Sequence, residues 1–125
     1  MTDLQRDPNC LFCKIIAGEI GGQKLYETAD AMVIADINPQ APVHALVIPR
    51  RHIASIADIT AADAATMTAL IDAANTVARQ NGLDATGFRL VINHGTHAGQ
   101  SVPHLHIHVL GGQPMGWPPF PPTNS

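Results

Sequence analysis

Hydrophobic and polar residues alternate most strictly over residues 104–109, where three histidines take turns with apolar side chains. Successive side chains of a β-strand point to opposite faces, so this pattern predicts a strand with His104, His106 and His108 along one face. The apolar residues of the other face are expected to contact the core; they are Leu105, Ile107 and Val109. Such a strand would hold its place with one face and present a row of imidazoles on the other.

The remaining pattern predicts an α+β fold with a mostly antiparallel, five-stranded sheet, one short helix and one long helix. The short helix is expected over residues 10–17, begun by Asn9 and ended by Gly18. Thr60 and Asp63 resemble a capping box ahead of an alanine-rich helix that runs to about residue 80. Apolar runs predict the strands at residues 24–27, 31–36, 43–48, 87–93 and 104–110.

Composition and charge narrow the class of protein. The 125 residues are 46% hydrophobic and 14% charged, which is typical of one folded domain. A net charge of −3 with only seven Lys and Arg gives no basic stripe, so we expect no polymeric nucleic acid as a partner. No apolar run approaches the roughly 20 residues of a membrane span, and residues 1–8 resemble a flexible arm without a signal-peptide core. We therefore expect a cytoplasmic protein with no membrane partner.

Near neutral pH, the row of imidazoles offers a nucleophile, a general acid or base, or metal ligands. Histidines two residues apart on a strand can bind one zinc ion together with other ligands. The outer two of three in-line strand residues lie roughly 13 Å apart, too far to share one ion. The row is therefore not a three-histidine zinc site by itself, and nucleophilic catalysis and partial metal binding both remain open.

Cys10 and Cys13 are the only cysteines of the chain. A disulfide is not expected in a reducing compartment, which leaves a metal half-site, two buried thiols or a redox pair. The redox pair ranks last, because a thioredoxin-like motif follows a strand and no strand-like run precedes Cys10.

The stretch from His104 to Leu110 resembles the signature of the histidine triad (HIT) family, in which three histidines alternate with apolar residues. Further motifs resemble the Hint branch of that family, whose members are nucleotide-binding phosphoramidate hydrolases. They occur in the same order and comprise Cys10 to Glu19, Asp36 to His44, Leu46 to Ile53, Asn93 to Gly95, Gly99 to Ser101 and the Trp117-Pro-Pro ending. The similarity implies a single HIT domain over residues 9–119 and a C-terminal tail over residues 120–125.

The resemblance implies a HIT-like fold whose sheet extends across a homodimer. It also implies hydrolysis of nucleoside 5′-phosphoramidates of the AMP-NH2 or AMP-lysine type. His106 would attack phosphorus and form a nucleotidyl-histidine intermediate, while His108 would contact the phosphate and assist proton transfer. His104 and His44 would support this network, and Ser101 would lie near the leaving group or the phosphate. Related nucleotidyltransferases have glutamine in place of the third histidine, so His108 favours hydrolysis.

A purine nucleoside monophosphate is the implied ligand, with its ribose hydroxyls bound by Asp36. The base would lie between apolar side chains, which are Phe12, Ile15, Ile34 and Ile37. The phosphate side would be formed by Asn93, Gly99, Gln100, Ser101, His106 and His108. Asp36 and Asn93 can instead cap turns, and the four apolar residues can be plain core. His94 and His97 lie in the phosphate-side loop, where a solvated position is favoured over substrate contact.

Bacterial Hint relatives use a half-site like Cys10 and Cys13 for zinc, and the resemblance implies His52 and His104 as the remaining ligands. Zn2+ in such a Cys2His2 site would be structural rather than catalytic. A pair of buried, weakly polar thiols is the alternative.

Other functions remain as alternatives to a phosphoramidate hydrolase: a nucleotide-binding regulator with incidental hydrolysis, a dinucleoside polyphosphate hydrolase, and a zinc-held interaction module. The intact triad argues against the regulator. The Trp117-Pro-Pro ending and the two glycines after the triad argue against the polyphosphate hydrolase. Because Hint relatives are homodimers whose C-terminal tails reach the partner's site, Met115 and Trp117 are expected to influence the leaving-group side of the partner's pocket.

Overall fold

Five antiparallel strands and one long helix form the framework of the molecule, as the sequence predicts. The computed structural model describes residues 7–120, so most of the predicted arm and tail lies outside the described residues. In chain order the elements are α1 (Leu11–Ile16), β1 (Lys24–Glu27), β2 (Ala31–Ala35), β3 (Val43–Pro49), α2 (Ala64–Gln80), α3 (Leu83–Thr86), β4 (Phe88–Ile92) and β5 (Ile107–Gly111). Within residues 7–120, no helix combines the length and the apolar character that crossing a membrane requires.

The strands are arranged in the order β1-β2-β3-β5-β4, and every neighbouring pair is antiparallel. The histidine strand β5 therefore lies between β3 and β4, where His108 is opposite Leu46 on one side and Val91 on the other. This central position fixes His108 from both flanks.

The prediction that the histidine strand begins at residue 104 is wrong, because strand pairing begins at Ile107. The backbone N–H of Leu105 instead donates to the carbonyl of Ile53 at 2.6 Å, and that of His104 donates to Val102 at 2.9 Å. The approach to β5 is thus held by the loop after β3. The backbone of residues 104–106 departs from strand geometry, although the side chains of these residues keep the predicted alternation.

The two faces of the sheet carry separate apolar clusters. α2 covers one face, which includes the residues predicted for the core side: Leu105, Ile107 and Val109, each 1% exposed or less. α1 covers the opposite face. There His104 is fully buried and His106 is 7% exposed. The predicted division of the histidine stretch into a core face and an imidazole face is confirmed.

α1 begins at a cysteine. Cys10, rather than the expected Asn9, is the N-cap residue, and its Sγ accepts a hydrogen bond from the backbone N–H of Cys13 at 3.3 Å. Gly18 follows the helix with φ of 77°, a left-handed conformation that ends helices and favours glycine. The cap hydrogen bond holds the thiol of Cys10 beside the helix start, and the side chains of Cys10 and Cys13 are both almost fully buried.

α2 is preceded by the predicted capping box. The Thr60 side chain and the Asp63 carboxylate each cap the other's backbone. The box, however, caps the short 3-10 turn Ala61–Asp63, and the α-helix starts one residue later at Ala64. α2 then packs its small and aliphatic side chains on the sheet, led by Leu70, which is fully buried.

Candidate active site and metal centre

His106 has one ring nitrogen fixed by the backbone. Its Nδ1 lies 2.7 Å from the carbonyl oxygen of His104. A carbonyl oxygen can only accept, so Nδ1 carries the hydrogen and the neutral ring keeps its lone pair on Nε2. An imidazole in this state is able to act as a nucleophile through Nε2.

A chain of hydrogen bonds fixes the tautomer of His108. The backbone N–H of Gln40 donates to Nδ1 of His44 at 2.9 Å, so a neutral His44 carries its hydrogen on Nε2. Nε2 of His44 lies 2.8 Å from Nδ1 of His108. His108 therefore accepts at Nδ1 and carries its own hydrogen on Nε2. That N–H remains a donor for an oxygen of a ligand.

Burial keeps the ring of His108 neutral. The pKa of His108 is lowered from 6.5 to about 4, chiefly by burial and further by the neighbouring rings of His106 and His44. The carboxylate of Asp36 opposes this change. At neutral pH, His108 is consequently a hydrogen-bond donor and only a weak base.

Asp36 follows β2 and has a partner for each carboxylate oxygen. Oδ1 accepts the backbone N–H of Asn38 at 2.8 Å, which is the turn-capping role left open by the sequence. Oδ2 lies 3.3 Å from Nε2 of His44, farther than the 2.8 Å that separates this nitrogen from His108. The main bond of His44 is therefore to His108, and Oδ2 keeps capacity for another donor.

His104 uses both of its ring nitrogens away from His106. Its Nε2 lies 3.0 Å from the carbonyl oxygen of Pro49, which places the hydrogen on Nε2. Its Nδ1 faces Sγ of Cys10 at 3.3 Å and Sγ of Cys13 at 3.6 Å. Burial is the main cause that lowers the pKa of His104 to about 4, so the ring is neutral. His104 thus contacts the possible nucleophile, His106, through its backbone carbonyl, whereas its ring contacts the two thiols.

The four predicted metal ligands meet in one place. The ligand atoms of Cys10, Cys13, His52 and His104 all lie within 4.8 Å of one another. Three sulfur–nitrogen contacts among them measure 3.3 to 3.6 Å. Tetrahedral zinc with its usual bond lengths separates a sulfur from a nitrogen ligand by roughly 3.6 Å. The carbonyl of Pro49 also supplies the outer acceptor that a metal-bound histidine needs. The donor set therefore fits a structural zinc site.

A second group of ligand atoms, from Asp36, His44 and His108, also lies within 4.8 Å. It fits a metal poorly, because a neutral histidine bound through one nitrogen carries a hydrogen on the other. The other nitrogen of His44 faces the backbone N–H of Gln40, so two donors would oppose each other. The arrangement is suited to a hydrogen-bonded pair of neutral rings.

The apolar residues predicted for the base differ widely in exposure. Three of them belong to the buried cluster under α1: Phe12, Ile15 and Ile34, which are 4%, 8% and 4% exposed. Ile37 is 96% exposed beside Asp36. The burial of the first three residues fits the core alternative, and their contact with a base stays a prediction, whereas Ile37 is almost fully exposed next to the site.

Gln100 braces the loop between β4 and β5. Its Oε1 accepts the backbone N–H of Gly95 at 3.1 Å, and its Nε2 donates to the carbonyls of Ala54 and Val102 at 2.9 and 3.2 Å. Its own backbone N–H donates to Gly95 at 3.0 Å. Gln100 thus shapes the loop, and its contact with a nucleotide stays a prediction.

The other loop residues predicted for the phosphate side lie between β4 and the histidine stretch in the chain. Asn93 directly follows β4, one residue beyond the last strand pair, Ile92 with Ile107. Gly99 has φ of 77°, which requires glycine. Ser101 is exposed just before the histidine stretch. The phosphate contacts of these three residues stay predictions.

Some site contacts were missed by the sequence reasoning. The backbone N–H of Gln40 and the carbonyl of Pro49 fix the tautomers of His44 and His104, and no residue pattern identifies such backbone groups. A third contact that the sequence did not predict is the hydrogen bond of 2.5 Å between Nδ1 of His94 and Oγ of Ser55. Ser55 is buried, although His94 is exposed.

Residues 17–115 match the HIT domain family, and this range is most of the chain. The chain belongs to the HIT family. The HIT family hydrolase from Legionella pneumophila Philadelphia 1 is 44% identical in its crystal structure, with 90% of this chain and 100% of that chain covered and a TM-score of 0.87. The predicted HIT-like fold is thereby confirmed.

Two further relatives extend the similarity across the HIT family. The crystal structure of a histidine triad nucleotide-binding protein from Candida albicans is 32% identical, with 93% of this chain and 87% of that chain covered and a TM-score of 0.76. An uncharacterized HIT-like protein of Synechocystis is 44% identical over 109 residues, which are 87% of this chain and 95% of that protein. The range that matches the HIT domain contains the triad and His52 but begins after Cys10 and Cys13.

Proposed function

We propose that this HIT protein hydrolyses the P–N bond of nucleoside 5′-phosphoramidates of the AMP-NH2 or AMP-lysine type, as members of the Hint branch do. The observation that carries the proposal is the hydrogen bond from Nδ1 of His106 to the carbonyl of His104, because it leaves a lone pair on Nε2. The likeness to a HIT family hydrolase and to a histidine triad nucleotide-binding protein supports the reaction class and the ligand class.

In the first step, Nε2 of His106 forms a bond to the α-phosphorus, and the bond from phosphorus to the amine nitrogen breaks. The departing nitrogen takes the bonding electron pair and a proton from solvent, on the side where we place Ser101. Nε2–H of His108 donates to a phosphoryl oxygen and stabilises the charge that develops there. The product of this step is nucleotidyl-His106 and a free amine.

In the second step, water attacks phosphorus, the bond to Nε2 of His106 breaks, and the ring recovers its lone pair. The water releases one proton, which replaces the one taken by the amine, so the cycle balances. The neutral state of His108 favours hydrogen-bond donation to phosphate over the proton-transfer role expected from the family, because a ring with a pKa of about 4 is a weak base.

Recognition of the nucleoside is assigned to the rim of the site. Asp36 would accept from the ribose hydroxyls through Oδ2, and the exposed Ile37 would cover one face of a purine base. Asn93 would contact the phosphate beside His106. An isoleucine that is 96% exposed loses that exposure when a base covers it, which supplies apolar contact energy for binding.

The direct test is incubation with adenosine 5′-phosphoramidate. Wild type should release AMP and ammonia, and the His106→Ala variant should be inactive while keeping its thermal midpoint. His97→Ala, which changes an exposed loop histidine, is the matched control and should be as active as wild type. Inert wild type, or an unaffected His106→Ala variant, contradicts the proposal. Turnover of a dinucleoside polyphosphate in place of the phosphoramidate would support the polyphosphate hydrolase instead.

We further propose that Cys10, Cys13, His52 and His104 hold Zn2+ as a structural ion. When bound, zinc would cross-link the start of α1 to the approach of β5. Metal analysis of purified protein should find about one zinc per chain, with most of it lost in Cys10→Ala and retained in His97→Ala. A zinc content near zero in wild type contradicts this assignment.

The homodimer predicted from the family is also proposed. β4 is at the edge of the sheet, so the backbone groups on its outer side have no sheet partner within residues 7–120. All five of its residues are half-buried. Trp117 is 80% exposed. The guanidinium carbon of Arg89, in β4, lies 5.8 Å from the centroid of the Trp117 ring. A second copy that covers this edge would bury both features. Light scattering should give the mass of a dimer, and a monomer would contradict the assembly.

A further inference from the structure

Cys10 and Cys13 have the geometry of an oxidisable pair. They are the only cysteines, they are not linked to each other, and they are 3% and 2% exposed. Their sulfur atoms lie within 4.8 Å of each other at the start of α1. Residues three apart on a helical turn have Cα atoms roughly 5 Å apart, inside the range that a disulfide spans. This spacing is compatible with a disulfide between the two cysteines.

Both thiols are linked directly to the residues around the nucleophile. Each contacts Nδ1 of His104, whose carbonyl holds the hydrogen of His106. Phe12 lies between the two cysteines in sequence. Its ring is edge-on to both histidines, with centroids 5.8 Å from His104 and 5.2 Å from His106. A change at the sulfur atoms would therefore act on the helical turn whose Phe12 side chain packs on His106.

We propose that the Cys10–Cys13 pair is a modification site, at which hydrogen peroxide forms a disulfide, expels the metal and weakens nucleotide binding at His106. The binding effect rests on the proposed function, whereas disulfide formation and metal release do not. The pair differs from a thioredoxin-like redox pair, since both sulfurs are buried in a potential Cys2His2 ligand set and neither is at an exposed exchange site.

The reaction balances with peroxide as the sole oxidant. One thiolate attacks a peroxide oxygen, which gives a sulfenic acid and releases hydroxide. The second thiolate attacks the sulfenic sulfur, forms the S–S bond and expels a second hydroxide. With two protons from solvent the sum is one disulfide and two waters, and peroxide is the species reduced. A disulfide sulfur is a poor zinc ligand, because zinc binds thiolates, so the ion leaves.

Burial sets which oxidants react. A molecule as small as hydrogen peroxide can reach the thiols during brief openings of α1, which has only six residues. A bulky aromatic disulfide reagent needs a larger opening and should react far more slowly than it does with an exposed thiol. This size dependence separates the site from an exchange-active pair.

The experiment starts from reduced, zinc-loaded protein. After peroxide treatment and removal of peroxide by catalase, zinc release is followed with a chromogenic chelator, the disulfide by mass spectrometry, and AMP affinity by calorimetry. We expect zinc release in step with an intramolecular Cys10–Cys13 disulfide, and AMP binding weakened about tenfold. Dithiothreitol with added zinc should restore the affinity of the same sample.

The controls isolate the thiols from other oxidation. The chain has four methionines, whose sulfoxides are not reduced by dithiothreitol, so recovery of affinity assigns the effect to the disulfide. Cys13→Ser should lose the peroxide response. If peroxide gives no intramolecular disulfide, or if the oxidised protein binds AMP as tightly as the reduced protein, the inference is overturned. If the reduced protein binds no AMP at all, the proposed function fails while the disulfide and zinc measurements still decide this site.

Discussion

The carbonyl oxygen of His104 lies 2.7 Å from Nδ1 of His106, while the ring of His104 faces two thiols. One residue thereby divides its backbone and its side chain between two centres. Its carbonyl fixes the tautomer of the nucleophile proposed here, and its Nδ1 completes a Cys2His2 ligand set. In the two proposals above, His104 would therefore position His106 through its backbone and bind zinc through its ring.

Loss of the His44 ring should slow catalysis more than binding. His44→Ala removes the donor to Nδ1 of His108, so the tautomer with hydrogen on Nε2 is no longer selected. We expect kcat to fall about 10- to 100-fold with a small change in KM. Gln40→Ala is the control, because its backbone N–H, not its side chain, holds His44. Equal kcat for His44→Ala and wild type would refute this role.

Asp36 should discriminate ribose from deoxyribose. Wild type is expected to bind AMP about 10- to 100-fold more tightly than 2′-deoxy-AMP, since a hydrogen bond to a charged group contributes about 1.5–3 kcal/mol. In Asp36→Asn this preference should shrink toward unity. The asparagine keeps an oxygen for the backbone N–H of Asn38, so the thermal midpoint should stay close to that of wild type. Titration calorimetry with both nucleotides checks this, and an unchanged preference in the variant would exclude a ribose contact.

The half-buried ring of His108 should make stability depend on pH. Its pKa is about 4 in the folded chain against 6.5 ordinarily, so on acidification the unfolded chain takes up the proton first. The contribution is complete above pH 6.5 and is lost as pH falls toward 4. Between pH 7.5 and 5, wild type should lose about 1 kcal/mol more unfolding free energy than His108→Gln, after allowance for the partial exposure of the ring. Parallel urea titrations measure the difference, and equal losses would contradict it.

Neighbouring residues of α2 should differ sharply in their effect on stability. Leu70 is fully buried against the sheet, whereas Ile71 is 38% exposed. Leu70→Ala should cost about 2–5 kcal/mol, because it removes buried methyl groups and leaves a cavity. Ile71→Ala should cost less than about 1 kcal/mol. Urea unfolding of the two variants tests the helix face, and similar costs would show that the packing is misassigned.

The sequence was most informative where side-chain periodicity determines structure. Alternation around His106 placed three imidazoles on one face, and Thr60 with Asp63 marked the approach to α2. The start of β5 was not predictable, because it depends on a long-range bond from Leu105 to Ile53. The exposure of Ile37 also escaped prediction, since apolar residues near a site can equally be core.

The candidate site was predicted by residue type but not by protonation. The ligand set with Cys10 and the grouping of His44 with His108 followed from family resemblance, and the structure brings both groups together. Which nitrogen carries each hydrogen depends on backbone groups of Gln40 and Pro49. Those groups are common to almost every residue, so only their position in the fold reveals the role.

The stereochemical course at phosphorus tests the central claim, which is a covalent intermediate on His106. One diastereomer of adenosine 5′-phosphoramidothioate is hydrolysed in oxygen-18 water, and the configuration of the labelled AMP thiophosphate is determined. Two successive displacements, the first by His106 and the second by water, predict net retention. Net inversion would mean that water attacks the substrate directly, and it would contradict the covalent mechanism whatever the activities of the variants.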